Sequence, residues 1–323
     1  MTGLSILDLA VELPESKVSI GNLAADWPGE TARFSQMGYE GLAVEKNRSA
    51  GQLAIAASQR LASPAAKTLA LVVHASIHDQ GMGVFWNPAT AVQAELGATL
   101  ARPLALRQGC DGLLLGLQFA CEHLGKTATG RALLVGSDCF ATTGFCRITS
   151  DYGILYGDGA AAMVIGPGHG IARILAIETV TDPGLCALHD STGLGSNDVR
   201  AAKRRFLSTQ GRERLQRGTR EALTGIKGRL FANAKSERAV RYILFPHLGL
   251  DLLRDNYFPA FEDAQARSLF SFGASVGHLG TTDQIVALDA LIRTGRLNPD
   301  DRVLLIGAGA GFSWTGVLLE IQS

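Results

Sequence analysis

Short runs of apolar residues alternate along the chain with longer segments in which apolar residues recur at helical spacing. Such runs are typical of buried strands, and such segments are typical of helices that cover a sheet. The predicted strands cover 69–74, 131–137, 160–165, 241–245, 302–306 and 315–321. The predicted helices cover 87–96, 113–124 and 279–292. This alternation predicts an α/β protein.

The order of these elements repeats in the two parts of the chain. Cys110 precedes one helix that leads into a pair of strands, and His278 precedes another helix that leads into a second pair. We therefore predict two similar halves, residues 1–167 and 168–323. The two helix starts are expected to face each other near a pseudo-dyad.

Composition excludes several classes of function. The chain has 323 residues, of which 46% are hydrophobic, so it can bury a large core. Its 30 basic and 30 acidic residues balance, which predicts no attraction to nucleic acid or to an anionic membrane. The five cysteines include no CxxC pair, so we expect no metal site and a reduced, cytoplasmic setting. No signal-peptide pattern precedes residue 18, and no apolar run approaches the roughly 20 residues that span a bilayer.

Cys110 is the strongest candidate for a reactive side chain. It follows Gly109 in a predicted turn that runs directly into the apolar segment 113–124. Unpaired backbone N–H groups and the helix dipole at such an end favour a nucleophilic thiolate. The competing interpretation is a buried structural cysteine, which is the commoner situation for a free cysteine.

Two histidines and a glycine-rich turn extend the candidate site. His247 follows an apolar strand at its carboxyl end, where open α/β sheets place functional groups, and His278 lies at the predicted start of its helix. Either histidine alone would more often be structural. Residues 307–314 are glycine-rich and precede a strand, whereas a dinucleotide-binding loop requires a helix there. The sequence therefore predicts a tight turn whose N–H groups can face an oxyanion.

These motifs, in this order and spacing, resemble the β-ketoacyl-acyl carrier protein synthase III group of the thiolase superfamily. The resemblance covers essentially the whole chain, and it rests on Gly109-Cys110, 133–138, 156–160, Phe245-Pro246-His247 and 309–314. It implies the thiolase fold, in which duplicated βαβ-rich halves form five layers in the order αβαβα. It also implies a homodimer.

The resemblance implies a two-step acyl transfer through Cys110. The thiol takes an acyl group from coenzyme A or from an acyl carrier protein and holds it as an acyl-enzyme, with no tightly bound cofactor. His247 is then a base and hydrogen-bond donor, and His278 is a second donor. Backbone N–H groups of Cys110 and Ala310 form the oxyanion hole. The favoured acceptor is a malonyl thioester, whose decarboxylation gives a Claisen condensation in a fatty-acid, polyketide or other specialised pathway.

Three departures from the family pattern leave other reactions open. His278 stands where the group usually has asparagine, residues 248–250 differ from the usual ones, and Asp111 replaces a small residue. A carboxylate beside Cys110 opposes thiolate formation unless it points away or pairs with Arg107. Acyl transfer to an alcohol or amine, with His278 as the base, is therefore the first alternative. A non-catalytic partner subunit is the second, although such a subunit has no reason to keep the whole set of candidate residues.

Further residues are predicted to bind the donor or to close the pocket. The segment 201–230 is rich in arginine and lysine, which suits an acidic carrier protein or the phosphates of coenzyme A. A solvated helix face is the competing interpretation. Trp27 resembles the family tryptophan that stacks on adenine, and Phe85 resembles part of the loop that crosses the dimer interface. The residues assigned to substrate or carrier binding are Trp27, Phe85, Trp86, Arg204, Arg205, Arg212, Arg217 and Phe312.

Overall fold

The fold is built on one large mixed sheet. The computed structural model describes residues 3–62, 66–78, 83, 85–125, 130–140, 145–193, 199–231 and 234–322. Its strands are β1 (Leu4–Glu12), β2 (Lys17–Ser19), β3 (Gly41–Ala43), β4 (Leu69–Ala75), β5 (Arg102–Leu106), β6 (Arg131–Asp138), β7 (Gly159–Pro167), β8 (Ala172–Thr181), β9 (Val240–Leu244), β10 (Arg302–Gly309) and β11 (Ser313–Ile321). Within the described residues, the sheet has the strand order β5-β4-β6-β7-β1-β8-β11-β10-β9, and β2 pairs separately with β3.

Helices cover both faces of this sheet. They are α1 (Ile20–Asp26), α2 (Thr31–Met37), α3 (Ala50–Gln59), α4 (Pro88–Glu95), α5 (Gly112–Leu124), α6 (Val199–Gln210), α7 (Arg212–Leu230), α8 (Ala234–Arg238), α9 (Leu250–Leu252), α10 (Ala264–Arg267), α11 (Phe270–Ala274) and α12 (Asp283–Arg293). Each helix in the described part of the chain is too short or too polar to cross a lipid bilayer. The predicted strands and helices are all present, and apart from one helix start their ends shift by at most three residues.

Alternate residues of each strand face different helices. In β6, Leu133 and Val135 belong to a core that includes α3, whereas Leu134 belongs to a core that includes α5. In β10, Leu304 packs in a core with α7, whereas Leu305 packs in a core with α12. Successive side chains of a strand point to opposite faces, so these continuous apolar strands require a helix on each side. Helices therefore cover both faces of each half of the sheet.

The helices α5 and α12 form a middle layer between the two halves of the sheet. The helix α5 contacts β4 and β6 as well as β8 and β11, and α12 contacts β9 and β10 as well as β1. The strands β1 and β8 join the halves through two residue pairs. Because α3 and α4 cover one half from outside and α7 covers the other, the layers follow the predicted order αβαβα. The proposed division at residue 167 falls between β7 and β8 and stays a prediction.

The helix that follows His278 begins later than the sequence predicted. The helix α12 starts at Asp283, four residues beyond the predicted start at Leu279. Gly280 has a φ of 71°, in the left-handed region that a helix excludes, and Leu279 donates its backbone N–H to the Asp283 carboxylate at 2.7 Å. The prediction that His278 opens the helix is therefore wrong. A turn separates His278 from the helix α12 and places the Asp283 carboxylate beside the His278 ring.

Candidate active site

Cys110 lies in a tight turn against the β10–β11 connection. It precedes the helix α5 by two residues, with Asp111 as the N-cap. Gly109 has a φ of 54°, and a Cβ at this position would lie 2.7 Å from the backbone nitrogen of Ala310. A side chain at residue 109 would thus push the two turns apart. Gly109 therefore allows the turn that carries Cys110 and the glycine-rich turn at Ala310 to meet.

Three side chains form a hydrogen-bonded chain that starts at Cys110. The Sγ atom of Cys110 lies 3.0 Å from Nε2 of His278, and Nδ1 of His278 lies 2.5 Å from a carboxylate oxygen of Asp283. Asp283 also accepts the backbone N–H groups of His247 and Leu279, each at 2.7 Å. Because these bonds fix the carboxylate, the imidazole is held with one nitrogen facing the sulfur. This is the order of groups in a nucleophile, base and orienting-acid triad.

The charges in this chain favour proton transfer to His278. Burial acts to lower the pKa of His278, but the neighbouring Asp283 carboxylate and Cys110 oppose burial and hold that pKa well above its usual value. Burial acts to raise the pKa of Asp283, yet the two histidines and their hydrogen bonds keep it below its usual value. The carboxylate therefore stays ionised, and His278 is a stronger base than a free imidazole.

His247 also approaches Asp283, with its Nδ1 atom 3.3 Å from a carboxylate oxygen, but a backbone carbonyl lies closer to that nitrogen. Its Nδ1 atom lies 3.1 Å from the carbonyl oxygen of Gly277, and its Nε2 atom is buried without a hydrogen-bond partner. Its ring packs on Gly273 and, at 5.8 Å between centroids, on Phe272. Burial lowers the pKa of His247, against the opposing effects of the Asp283 carboxylate and the Gly277 carbonyl. A carbonyl oxygen can only accept, so Nδ1 carries a proton, and in the neutral form of the ring Nε2 is an acceptor.

The structure thus brings Cys110 and His278 into contact but does not bring His247 into hydrogen-bond contact with Cys110. His247 lines a small cavity behind the site, among residues of β9, α11 and α12. The catalytic roles that the sequence assigned to both histidines stay predictions. Sequence reasoning also missed Asp283, because residues five apart in the helix predicted there would point in different directions.

A cavity of about 260 Å³ opens at the Cys110 sulfur. Cys110, His278, Ala310 and Phe312 line it, so three further predicted site residues share this cavity with Cys110. Its other walls are mostly apolar and include Ile77, Phe145, Ile154, Leu188, Val199, Leu215, Leu248, Leu252 and Tyr257. In the parts of the chain that are described, no three His, Cys, Asp or Glu side chains are arranged to hold a metal ion.

Asp111 points away from the Cys110 sulfur into the sheet. One carboxylate oxygen accepts the hydroxyls of Ser313 and Thr315, each at 2.8 Å. Burial raises the pKa of Asp111 to about 7, against the opposing effect of these two hydroxyls. Arg107 donates to a backbone carbonyl instead of pairing with Asp111. The Asp111 carboxylate is therefore tolerated beside the Cys110 thiol because it points away from the sulfur, and not because it pairs with Arg107.

The predicted donor-binding residues lie outside the cavity, with the exception of Phe312. Arg204 donates to the hydroxyl of Tyr152, and Arg205 donates to the carbonyl of Thr192 at 2.9 Å. Arg212 and Arg217 are exposed on α7. Their assignment to carrier binding stays a prediction.

The aromatic residues Trp27, Phe85 and Trp86, which were also assigned to binding, lie outside the cavity at Cys110. Trp27 is 40% exposed at the end of α1, and Phe85 is fully exposed. Trp86 packs on Gly51 of α3. None of the three lines the cavity at Cys110. Stacking on adenine by Trp27 and closure of the pocket by Phe85 and Trp86 stay predictions.

The fold agrees with comparisons to known proteins, and one family model spans the segment that contains Cys110. The model of the 3-oxoacyl-[acyl-carrier-protein] synthase III family matches residues 104–183, and the model of its C-terminal part matches residues 232–321. The β-ketoacyl-[acyl-carrier-protein] synthase III of Gloeobacter violaceus is 30% identical over 244 residues, which cover 72% of this chain and 71% of the relative. The same enzyme of Chlamydia pneumoniae is 25% identical over 244 residues, 73% of this chain and 72% of the relative.

Solved structures extend the similarity to nearly the whole chain. ChlB3, named as an acyltransferase, superposes with a TM-score of 0.89 at 25% identity and covers 99% of this chain and 98% of its own. The synthase III named FabH from Pseudomonas aeruginosa has a TM-score of 0.78 at 22% identity, with 99% and 98% coverage. The chain belongs to the 3-oxoacyl-[acyl-carrier-protein] synthase III family. It is an enzyme of the acyltransferase class with the thiolase fold, which confirms both expectations from sequence.

Proposed function

We propose that this protein transfers an acyl group from a thioester, through Cys110, to the hydroxyl or amine of an acceptor. The observation that carries the proposal is the chain of hydrogen bonds from Cys110 to His278 and from His278 to Asp283. It supplies a base at the sulfur and a carboxylate that fixes the base. A base at the sulfur serves the first step of either reaction, but only an acceptor that carries a proton on its attacking atom needs that base again in the second step.

In the first step Cys110 becomes acylated. Its thiol proton moves to Nε2 of His278, and the sulfur attacks the carbonyl carbon of the donor thioester. Backbone N–H groups of Cys110 and Ala310 would stabilise the negative oxygen of the intermediate. The bond to the donor sulfur then breaks, and His278 returns the proton to that sulfur. The products are the Cys110 thioester and a free donor thiol.

In the second step the acceptor takes the acyl group. The hydroxyl or amine gives its proton to Nε2 of His278 as its oxygen or nitrogen attacks the Cys110 thioester. The bond to the Cys110 sulfur breaks, and the sulfur recovers the proton from His278. His278 thus acts as the base in both steps through the same atom, Nε2. Its side chain therefore does not have to move between the steps.

Decarboxylative condensation, which the sequence favoured, is the second candidate because the curated relatives are named as synthases. That reaction needs two hydrogen-bond donors on the oxygen of the developing enolate. In its neutral form with the proton on Nδ1, His247 would offer an acceptor there. The name of ChlB3 as an acyltransferase further supports simple transfer. A non-catalytic partner subunit is disfavoured, because a scaffold gains nothing from an assembled triad.

The donor is proposed to be an acyl-coenzyme A or an acyl carrier protein, with no tightly bound cofactor. Exposed arginines on α6 and α7, Arg204, Arg212 and Arg217 among them, would attract an acidic carrier or phosphates.

The proposed homodimer would use the edge of β5, where Leu104 is 40% exposed, together with Phe119 of α5, which is 46% exposed. The mass of the protein in solution tests it, since a single-chain mass at micromolar concentration contradicts it.

A chase experiment tests the choice between the two reactions. The protein is acylated with acetyl-, hexanoyl- or benzoyl-coenzyme A, desalted, and mixed either with carboxyl-labelled malonyl thioester or with a panel of primary alcohols and amines. We expect alcohols or amines to discharge the adduct and the malonyl thioester to leave it in place without release of labelled carbon dioxide. Release of carbon dioxide in proportion to adduct loss contradicts simple transfer and supports condensation.

A further inference from the structure

The backbone of His278 is held by the segment 155–157. The His278 N–H group donates to the carbonyl of Leu155, and the His278 carbonyl accepts the N–H group of Gly157, each at 2.9 Å. A Cβ atom on Gly157 would lie 2.1 Å from a backbone carbonyl oxygen, so a side chain there would prevent this approach. Tyr156, between the two bonds, is therefore paired directly with His278.

The Tyr156 ring packs against the His278 ring in the wall of the cavity at Cys110. The two ring centroids lie 5.3 Å apart, and both residues line the cavity. Phe140 and Phe145 also pack on the Tyr156 ring, at 4.7 and 4.8 Å between centroids. Because the Nε2 atom of His278 lies 3.0 Å from the Cys110 sulfur, the position of the Tyr156 ring limits how the imidazole can tilt relative to that sulfur.

A buried ion pair holds the hydroxyl end of Tyr156. The hydroxyl donates to a carboxylate oxygen of Asp151 at 3.1 Å, and the Lys203 ammonium lies 2.7 Å from both oxygens of that carboxylate. The side chains of Asp151 and Lys203 are 2% and 14% exposed. Burial acts to raise the pKa of Asp151, but the charge and hydrogen bond of Lys203 hold it below its usual value. Asp151 is therefore an ionised acceptor, and its bond from Tyr156 is charge-assisted.

We propose that Tyr156 is a positioning residue for His278, and that the Asp151–Lys203 ion pair holds Tyr156 where it keeps the imidazole at the Cys110 sulfur. This inference rests on the proposed function, in which His278 is the base for Cys110. Burying an ion pair costs free energy, and stability alone is often served as well by apolar side chains. This pair lies in a mostly apolar cavity wall, beside the tyrosine that contacts the base.

The reactivity of the Cys110 sulfur tests this inference without any acyl donor. The rate of alkylation by iodoacetamide follows the thiolate, and peptide mapping measures it at Cys110 with the exposed Cys186 as internal reference. Tyr156→Phe keeps the ring and removes only the hydroxyl. We expect it to slow alkylation of Cys110 roughly 3- to 10-fold, the factor that corresponds to one net hydrogen bond. Tyr242→Phe, on β9 and outside the cavity at Cys110, should leave the rate unchanged.

A double-mutant cycle shows whether Tyr156 acts through His278. Tyr156→Phe is introduced into His278→Asn, and we expect no further loss of Cys110 reactivity there, because the base that Tyr156 positions is already absent. A structural effect that does not pass through the base would slow alkylation by the same factor in both backgrounds. Equal factors in the two backgrounds, or a wild-type rate in Tyr156→Phe, overturn the inference.

A second variant tests the ion pair and keeps the experiment decisive if Tyr156→Phe does not fold. Asp151→Asn combined with Lys203→Met conserves the net charge and leaves Tyr156 only a neutral acceptor, so alkylation of Cys110 should again slow in the wild-type background and not in His278→Asn. A wild-type rate in this folded variant overturns the role of the ion pair. An unchanged rate in His278→Asn alone contradicts the proposed function instead, because His278 then does not activate the sulfur.

Discussion

His278→Asn is expected to slow acyl transfer to an alcohol or amine by about 10²- to 10⁴-fold, the usual contribution of a general base. The Nε2 atom of His278 lies 3.0 Å from the Cys110 sulfur. Asparagine offers an amide donor at this position but cannot take a proton. Acylation and discharge, followed by intact mass, should therefore both slow. His169→Asn, at an exposed position, is the matched control and should keep wild-type rates.

The same variant separates the two candidate reactions. If His278 serves only as a hydrogen-bond donor in a condensation, asparagine preserves that role and activity with a malonyl thioester survives. His247→Asn completes the comparison, because a condensing enzyme needs both histidines as donors. In our account its effect on the rate is much smaller than that of His278→Asn. Equal losses in the two variants would contradict the role we assign to His278 alone.

Asp283→Asn is expected to lower kcat/KM by about 10²- to 10⁴-fold. It is also expected to move the acid limb of the pH profile of kcat/KM to lower pH. Loss of an orienting carboxylate in comparable triads costs up to about 10⁴-fold in rate. The carboxylate holds the pKa of His278 above its usual value against burial, which acts to lower it. Without the carboxylate this pKa falls, and the neutral base persists to lower pH. The measurement is kcat/KM from pH 5 to 9.

A neighbouring carboxylate provides the control for this shift. Asp289 lies on the same helix and pairs with Arg293 at 2.7 Å near the surface. Asp289→Asn should leave both the rate and the pH profile unchanged, because it has no contact with His278. An Asp283→Asn variant that loses rate with its acid limb in the wild-type position would show that the carboxylate positions His278 without tuning its pKa.

The sheet and the position of Cys110 before the helix α5 could be predicted from local pattern. Strands such as β6 and β10 are continuous apolar runs because both of their faces are covered by helices, and that pattern is visible in sequence. Cys110 was predictable because a thiol directly before an apolar helix is a local feature. The turn between β10 and β11 followed from a glycine-rich run between two strands. Each of these depends on residues close together in the chain.

The rest of the site depends on contacts that local pattern does not encode. Asp283 reaches His278 only because residues 279–282 form a turn, whereas their apolar spacing suggested a helix start. Lys203 was counted in a basic surface segment, but it pairs with Asp151 from 52 residues away, inside the cavity. The orientation of His247 is set by the carbonyl of Gly277, which lies 30 residues further along the chain. In each case the sequence showed which side chain is present, but it did not show which residue that side chain contacts.

The central claim is that the Cys110 sulfur carries the acyl group. Its most direct test is the intact mass of the protein after incubation with an acyl-coenzyme A or acyl-carrier protein, in the wild type and in Cys110→Ala. We predict a mass increase of one acyl group per chain in the wild type, assigned to Cys110 by peptide mapping, and none in the variant. An adduct of equal yield in Cys110→Ala, or none in wild-type protein with any donor, would contradict the account.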